Sequence, residues 1–524
     1  MSKHSKSGAR ARYFANPFVG GDEADLLAGI NTDLLGQAKT QELLEQVILP
    51  QTMEGGTHGA HGSGDAPSLE TFGSVYIGLA GLAYIYLDMA LHTGAGEEDQ
   101  PTRTEYLTRA CALAERAWYR ISPKRVASFL EGKAGCLAIQ AVALQHLGHT
   151  DAAAAAVHSL CDLWDGPPQH HGHSHSHSHE APPTVSSLLP SECELLYGRA
   201  GYLYALLFVH DRWGNAEHNS SGDSKEAGGP IPPALVGKVV QHILSEGQAP
   251  GTGPSSPFTL TYYWHGSLYL GGAHGMAGIL HTLLLAKERF PAAMCTSDNN
   301  GSELVMATAA QLVACRFPDD TYASSHGSTS RDKVQWCHGS TGFVPFLLAA
   351  ARHSPTRAAL EAKQRADAEA SNGEERGKEA EEEGKEEEGE GKQVKHKREE
   401  RHHHHHHSVS VCKSSAPLPR EEYERLARTA AETIWEKGLL TKGLGLCHGI
   451  GGSGMALLSM YRHTRDTLHL HRAMCMASIA CAHIDTLLMV PDRPFSLFEG
   501  ACGLLTLLQQ LQHPLHSHFP AYEL

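Results

Sequence analysis

The chain has 524 residues and a net charge of −15, and 41% of its residues are hydrophobic while 19% are charged. This length exceeds that of one ordinary core, so it requires two or three domains or one large architecture of a soluble globular protein. The acidic balance argues against nucleic acid as the main partner, because phosphate binding needs clustered Lys and Arg. The longest apolar runs are shorter than the roughly 20 residues that cross a bilayer, so no membrane span is expected.

The N-terminus, MSKHSKSGARARYFANPF, is basic and has no apolar core, so it does not predict a secretory signal. Twelve cysteines lie singly along the chain, without a C-x-x-C pair, and most stand inside apolar runs. They are expected to be free thiols in a reducing compartment. These features predict a cytoplasmic protein, with peripheral membrane contact through the basic N-terminus as a weaker alternative.

A short glycine motif, G-x-x-G, recurs seven times along the chain. Each copy is followed by a mostly apolar stretch, such as LAYIYLDMAL after the first copy and LLTLLQQL after the last. A helix that is apolar all round has to be buried, so each motif is predicted to open an inner helix. The first glycines of the motifs are Gly78, Gly132, Gly198, Gly275, Gly339, Gly449 and Gly500.

Between the copies lie amphipathic stretches, which predict helices with one wet face. In residues 104–119 the apolar residues Leu107, Cys111, Ala114 and Trp118 recur at three- and four-residue steps, and residues 420–438 show the same pattern. The repeating unit is thus an outer helix, a loop, a glycine turn and an inner helix. Seven such units close most economically into a ring. The sequence predicts an all-α protein, a double-layered α/α toroid of seven helical hairpins, whose glycine turns converge at one end.

The spacing of the motifs locates two large insertions. Successive intervals are 54, 66, 77, 64, 110 and 51 residues, so the basic unit is about 50 residues long. The second interval contains a His-rich insertion, QHHGHSHSHSHE, at 169–180, and the fifth contains a Glu/Lys/Gly tract that ends in RHHHHHHS. Such low-complexity sequence cannot bury enough apolar surface to fold. Residues 355–418 are therefore expected to be a disordered insertion within one domain that spans 1–524.

Two consecutive motifs carry Cys-His-Gly, in WCHGSTG at 336–342 and LCHGIGG at 446–452. Zinc is held by thiolates and imidazoles, and catalytic zinc sites use three protein ligands. Cys337, Cys447 and His448 could supply such a set, because a ring places consecutive turns side by side. The alternative is that these side chains only fill a core. His338 is not needed as a ligand; it either forms a hydrogen bond with a carbonyl or assists at the site, and the first role is the more common one.

Several segments resemble the eukaryotic branch of the lanthionine synthetase C-like family. They are WCHGSTG, GLCHGIGGSG, AHGMAGIL, YGRAGYLYALLFV and SLFEGACG, together with RYFANPF and FPAYEL near the two ends. The resemblance touches all seven repeats. It departs from the family at SFLEGKAG, where a segment closer to FLCGDAG is usual, and the His tracts and acidic insertion are not family features.

The resemblance implies a seven-fold toroid with one Zn²⁺ at the positions of Cys337, Cys447 and His448. Bacterial members join a peptide cysteine to a dehydrated serine or threonine. Eukaryotic relatives bind glutathione and are associated with its addition to dehydroalanine or dehydrobutyrine residues of damaged, formerly phosphorylated proteins. Metal coordination would deprotonate the thiol, whose ordinary pKa of about 8.5 makes it a poor nucleophile. The leading hypothesis is therefore a zinc-dependent, thioether-forming enzyme that uses glutathione as co-substrate.

Further residues are candidates for this chemistry. His274, directly before a glycine turn, is the candidate general acid, because a histidine titrates near neutrality. A helix-capping or core histidine is an equal alternative on the sequence alone, and the matching histidine of the family favours the catalytic role. Glu194 is a candidate to orient that base or the enolate, although a solvated loop carboxylate is an equal alternative. Arg12 and Lys442 occupy positions similar to glutathione-contacting residues of the family. Arg331 could contact the same carboxylates of glutathione or bind a phosphorylated substrate. Glu499 is expected to cap its helix instead of taking part in the chemistry.

Three other functions remain open on the sequence alone. The first is a regulatory protein that binds zinc and glutathione without turnover. The second is a purely structural toroid. The third is a carbohydrate-processing α/α barrel, which would need a pair of carboxylates facing the cavity. The glycine turns offer only Glu131, Glu194 and Glu499, without an evident pair.

Overall fold

The structure is a computed structural model, and it describes residues 12–21, 30–52, 68–93, 99–166, 183–214, 229–248, 257–295, 300–366 and 418–524. The predicted all-α toroid is confirmed. Within these ranges β structure is limited to isolated bridges, and none of the helices that could be searched is long and apolar enough to cross a membrane. All eleven cysteines in these ranges are free thiols.

Within the described ranges seven inner helices form the wall of the barrel, and each begins at a glycine motif as predicted. The first glycine of every motif is the residue that caps the helix N-terminus. The helices are buried on nearly every side; in the third, every residue from Arg199 to Val209 is buried. The inner helices are α1 (Leu79–His92), α3 (Lys133–His146), α5 (Arg199–Arg212), α7 (Met276–Arg289), α9 (Ser340–His353), α11 (Ile450–Thr464) and α13 (Ala501–Gln512).

Outer helices alternate with the inner ones along the chain and shield them from solvent. Each inner helix packs against its two inner neighbours, and α13 packs against α1, which closes the ring. The seventh outer position, against α13, is taken by an N-terminal helical segment formed by Gln37–Glu42 and Leu43–Ile48. The other outer helices are α2 (Gln100–Trp118), α4 (Thr150–Asp162), α6 (Pro233–Gln248), α8 (Gly301–Ala314), α10 (Arg420–Lys437) and α12 (Thr467–Ala482).

The loops before the glycine turns are joined to one another around one end of the barrel, which we call the rim. Each loop donates a backbone N–H to a carbonyl of the next repeat, from Tyr76 N–H to Leu130 O at 3.0 Å through to Phe498 N–H to Tyr76 O at 3.1 Å. Bonds of this kind bridge all seven pairs of neighbouring repeats, so they form a closed circuit. The rim therefore holds the residues before each motif in register, and the predicted convergence of the glycine turns is confirmed.

The second glycine of a motif is required because the preceding loop folds back over it. A Cβ on Gly452 would lie 2.0 Å from the carbonyl oxygen of Leu446, and a Cβ on Gly342 would lie 2.2 Å from that of Trp336. These carbonyls directly precede Cys447 and Cys337. The glycines thus let both cysteine loops lie flat on the helix starts.

We expect Gly452→Ala to lower stability by about 2–3 kcal/mol, since the new methyl group forces the Leu446 carbonyl away and overpacking has costs of this size. Gly237→Ala is the matched control, because Gly237 lies inside α6 with no atom within 4 Å of the added Cβ. That change should raise stability by about 0.5–1 kcal/mol. Calorimetric unfolding of both variants measures the two changes in stability. Equal effects would show that the loop carrying the Leu446 carbonyl can move away from the added methyl group at little cost.

The segment 517–524 fills the barrel from the end opposite the rim. Glu523 is buried and accepts hydrogen bonds from Ser459 Oγ at 2.6 Å and from the Arg462 guanidinium at 2.6 Å. The hydroxyl of Tyr522 donates to the carbonyl oxygen of Gly342 at 2.8 Å, and its ring packs edge-on against Trp336. The tail therefore supports the start of α9 and the loop that carries Cys337.

The two predicted insertions fall mostly outside the described residues. This holds for all of 169–180 and for 367–417 of the second insertion. The boundary of the second insertion needs a correction, because residues 357–366 are helical. Almost all of their side chains are exposed, and position 418 lies two residues before the first residue of α10. Disorder was expected there because the segment has no apolar face, and the helix indeed buries almost none of its surface.

Candidate metal centre and active-site rim

The residue directly before each glycine motif takes an equivalent place on the rim. The three histidines among these residues come from consecutive repeats, and two carboxylates, Glu131 and Glu499, stand on either side of the first repeat. Functional candidates that are far apart in the chain thus belong to one structural position. In chain order the seven residues are Ile77, Glu131, Tyr197, His274, His338, His448 and Glu499.

The three proposed metal ligands lie together. One ligand atom from each of Cys337, Cys447 and His448 lies within 4.8 Å of the others, and among the residues that could be searched this is the one such group of three. The backbone joins the loops as well, because Trp336 N–H donates to the Cys447 carbonyl oxygen at 2.9 Å. Two thiols and an imidazole are the donors that zinc prefers in proteins, so this set fits a zinc ion with one position left for a thiol.

The two thiols interact directly. A hydrogen bond from Cys447 lowers the pKa of the Cys337 thiol well below its ordinary value, against the opposing effect of burial, and His448 adds to the lowering. The hydroxyl of Tyr76 also donates to the Cys447 sulfur, and burial together with this thiol raises the pKa of Tyr76. One thiolate is therefore stabilised at this site by the protein alone. Tyr76 is a site residue that the sequence reasoning missed.

His274 and Glu194 form a hydrogen-bonded pair. His274 Nδ1 lies 2.9 Å from Glu194 Oε2, and the carboxylate is almost completely buried. Glu194 also accepts the backbone N–H groups of Leu196 and Tyr197, at 2.7 and 2.6 Å. An ionised carboxylate can only accept, so Nδ1 carries the proton and Nε2 is the nitrogen left for exchange with a substrate. The carboxylate is thus a fixed partner of His274 and not a solvated loop residue.

The ring of Trp264 covers one face of the His274 imidazole. Their centroids are 3.8 Å apart and the planes are within 6° of parallel. Trp264 is held by a tight turn, in which it pairs with Ser267 and His265 adopts a φ of 46°. The indole and Glu194 together fix the orientation of the imidazole. Trp264 had no signal in the sequence, since it lies ten residues before His274 in an irregular loop.

Glu131 and Arg125 occupy the next part of the rim. Arg125 donates to Glu131 Oε2 at 2.6 Å, and its guanidinium lies over the ring of Tyr197 at 4.9 Å. Burial raises the pKa of the Glu131 carboxyl to about 7, although Arg125 acts in the opposite direction, and the charge of Glu499 adds to the rise. Glu131 lies in the segment SFLEGKAG, and its ion pair with Arg125 joins this segment to the loop before it.

The candidate glutathione contacts are placed differently from one another. Arg12 forms an ion pair with Asp332 at 2.7 Å, and its carbonyl accepts Thr441 N–H at 3.0 Å. Lys442 follows directly and is close enough to affect the pKa values of His338 and Glu499. The Arg331 guanidinium instead lies over the ring of Phe317 at 4.5 Å. Arg12 and Lys442 thus flank the cysteine loops, while Arg331 is engaged by an aromatic partner.

His338 and Glu499 also differ from what the sequence suggested. His338 Nδ1 is buried and has no hydrogen-bond partner in the part of the chain that is described, so none of the described carbonyl groups bonds to this nitrogen. The expectation that Glu499 caps its helix is wrong, because Gly500 is the N-cap and no side chain caps α13. Burial raises the pKa of Glu499, and His448 and Lys442 partly offset the rise. Glu499 is therefore close enough to His448 and Lys442 to interact with them electrostatically.

Comparison with known proteins agrees with this architecture. The sequence model of the lanthionine synthetase C-like protein family matches residues 71–378 and 407–524. The chain is 28% identical over 451 residues to the glutathione S-transferase LANCL1 of Danio rerio, which covers 86% of this chain and 84% of the relative. It is 26% identical over 488 residues to the LanC-like protein GCL1 of Arabidopsis thaliana, covering 92% and 88%. On the family match and the closed seven-unit helical ring, the chain belongs to the lanthionine synthetase C-like family.

Proposed function

We propose that the protein is an enzyme that adds the thiol of glutathione to dehydroalanine or dehydrobutyrine residues of proteins or peptides. One observation carries the proposal. A zinc-type donor set, Cys337, Cys447 and His448, shares the rim with a histidine–carboxylate pair, His274 and Glu194. The first group suits a thiol and the second suits proton transfer. The relative named as a glutathione S-transferase supports the choice of thiol.

Cys337, Cys447 and His448 would hold one Zn²⁺, and the ion would supply thiol activation, since a coordinated thiol loses its proton. Other side chains of the protein interact with these three ligands. Tyr76 donates a hydrogen bond to Cys447, while Glu499 lies near His448 and Lys442. A hydrogen bond and a nearby carboxylate of this kind orient metal ligands and tune their basicity.

His274 would deliver the proton that completes the addition. A carbon–sulfur bond forms at the alkene β-carbon, and the alkene electron pair moves onto the α-carbon and its carbonyl group as an enolate. The α-carbon then takes a proton from His274, while the thiol proton has left to solvent. Glu194 stabilises the imidazolium before transfer and holds its tautomer afterwards.

Lys442 and Arg12 would meet the two carboxylates of glutathione. Both lie on segments next to the cysteine loops, and Arg12 would exchange Asp332 for a substrate carboxylate. The buried Nδ1 of His338 offers a further polar contact for a bound tripeptide. The position of Arg331 on Phe317 supports no such contact, so we leave it out of the proposed site.

The test is thioether formation by the zinc-loaded protein. With glutathione and a dehydroalanine peptide, we expect mass spectrometry to show the adduct accumulating well above the protein-free rate, and chelation of the metal to abolish the gain. Re-addition of zinc should restore it.

The competing function is a protein that binds zinc and glutathione without turnover. It predicts glutathione binding by calorimetry with no adduct above the protein-free rate. That result would contradict the enzymatic function and support a protein that only binds zinc and glutathione.

A further inference from the structure

A cavity of about 400 Å³ opens on the rim directly beside His274. Its lining includes Lys124, Arg125, Glu131, Tyr197, Trp264 and His265. Trp264 is the ring that stacks on His274, and Tyr197 lies parallel to both rings, at 6.2 Å from Trp264 and 5.9 Å from His274. The cavity therefore shares a wall with the proposed proton donor.

The order of the repeats separates this cavity from the metal ligands. Cys337 belongs to the repeat after His274, whereas Tyr197 and Glu131 belong to the two repeats before it. A proton donor for the addition has to reach the alkene while the thiol is held at the metal ligands. With the thiol on one side of His274, the cavity on its other side is where the acceptor can lie.

The charges of the cavity favour a neutral ligand with hydrogen-bond acceptors. The positive charges of Lys124 and Arg125 are partly offset by Glu192 and Glu131. Glu192 also accepts a hydrogen bond from the Leu189 N–H at 2.8 Å. Arg125 is held on two sides, by Glu131 and by the ring of Tyr197. A guanidinium has five N–H groups, and that of Arg125 donates to Glu131 through Nη1. The Arg125 side chain is half-exposed, so its other N–H groups can donate to carbonyl oxygens of a ligand.

We propose that this cavity binds the polypeptide backbone beside the dehydrated residue of the acceptor, with Arg125 donating to backbone carbonyl groups. The inference rests on the proposed function, because it assigns the second substrate of that reaction. Glu131 acts as a positioning residue, since it holds Arg125 against Tyr197.

The test compares two acceptors on the full-length, zinc-loaded protein. One is a dehydroalanine peptide of roughly nine residues, and the other is N-acetyldehydroalanine methyl ester, which lacks the flanking backbone. For Arg125→Met we expect the ratio of kcat/KM for the peptide to kcat/KM for the ester to fall about tenfold, as for the loss of a hydrogen bond from a charged donor. Lys133→Met is the matched control, because Lys133 lies over Trp118 outside the cavity lining. It should leave the ratio unchanged.

A binding measurement separates this inference from the proposed function. A fluorescent peptide with alanine in place of dehydroalanine should bind the wild-type protein and lose about tenfold in affinity in Arg125→Met, as seen by anisotropy. If that holds while no thioether forms, the peptide site stands and the proposed chemistry fails. An unchanged kcat/KM ratio in a folded Arg125→Met variant, or wild-type protein that does not bind the peptide, overturns the inference.

Discussion

Replacing His274 by asparagine should lower kcat for glutathione addition by roughly 10²- to 10⁴-fold, the range that a positioned general acid contributes. The amide nitrogen of asparagine can still donate to Glu194, so the local geometry should survive. It cannot deliver a proton from the position of Nε2. Because the histidine is assigned to proton transfer alone, zinc content and glutathione affinity should stay close to those of the wild-type protein. Steady-state kinetics measures the fall in kcat, and calorimetric titration measures the glutathione affinity.

The matched control is His326→Asn, which changes an exposed histidine that packs near Phe258. It should leave both kcat and glutathione affinity unchanged. A His274→Asn variant with nearly full kcat would contradict the assigned role and move the proton source elsewhere on the rim. Equal losses of kcat and of glutathione affinity would instead mark His274 as a binding residue.

Replacing Cys447 by alanine should abolish both zinc binding and glutathione addition. The sulfur is one of three clustered donors, and its loss leaves two ligands, which hold zinc far more weakly than a three-ligand site. We expect addition to fall to the rate measured without protein. Glutathione affinity should fall as well, because its thiol would have no metal to bind. The measurement is the rate of adduct formation after exhaustive zinc loading.

Cys502→Ala is the control for Cys447→Ala. Cys502 is also a fully buried free thiol at the start of an inner helix, and burial raises its pKa, as expected of an inert core cysteine. Its replacement should lower stability slightly through the small cavity that it leaves, with activity and zinc content retained. Retention of activity by Cys447→Ala would remove the metal from the mechanism.

The fold could be predicted from the sequence because every repeat has the same local pattern, a glycine motif followed by an apolar helix. A glycine that opens an all-apolar helix leaves little freedom, and seven copies leave only a closed ring that buries every inner helix. The seventh outer element was harder to predict. It is short and π-helical from Leu43 to Ile48, and it stands far in sequence from α13, so periodicity alone gave little indication of it.

The site could be predicted only where repeats make residues equivalent. Cys337 and Cys447 stand five residues before the second glycine of their motifs, so a ring necessarily places them side by side. The sequence indicated only weakly that Glu194 lies next to His274. Their hydrogen bond depends on the register of two neighbouring loops, which the spacing of the motifs does not give.

Other site residues were missed for a physical reason. Tyr76 reaches Cys447 across the repeat that carries Phe498, on which it stacks at 4.9 Å. Trp264 reaches His274 from an irregular turn. Such contacts depend on side-chain directions that no spacing rule contains. Glu499 was assigned to helix capping, yet the helix start needs no side chain because the folded loop supplies the contacts of the Gly500 turn.

The central claim is that one metal ion is shared by two neighbouring glycine turns. The most direct measurement is the zinc content, by elemental analysis, of protein lacking residues 169–180 and 401–408, whose histidines would bind metal on their own. We expect about one zinc per chain, which disappears in Cys447→Ala and persists in Cys502→Ala. Absence of zinc from the parent protein, or zinc that survives the loss of Cys447, would contradict the shared site and leave the proposed addition without its activated thiol.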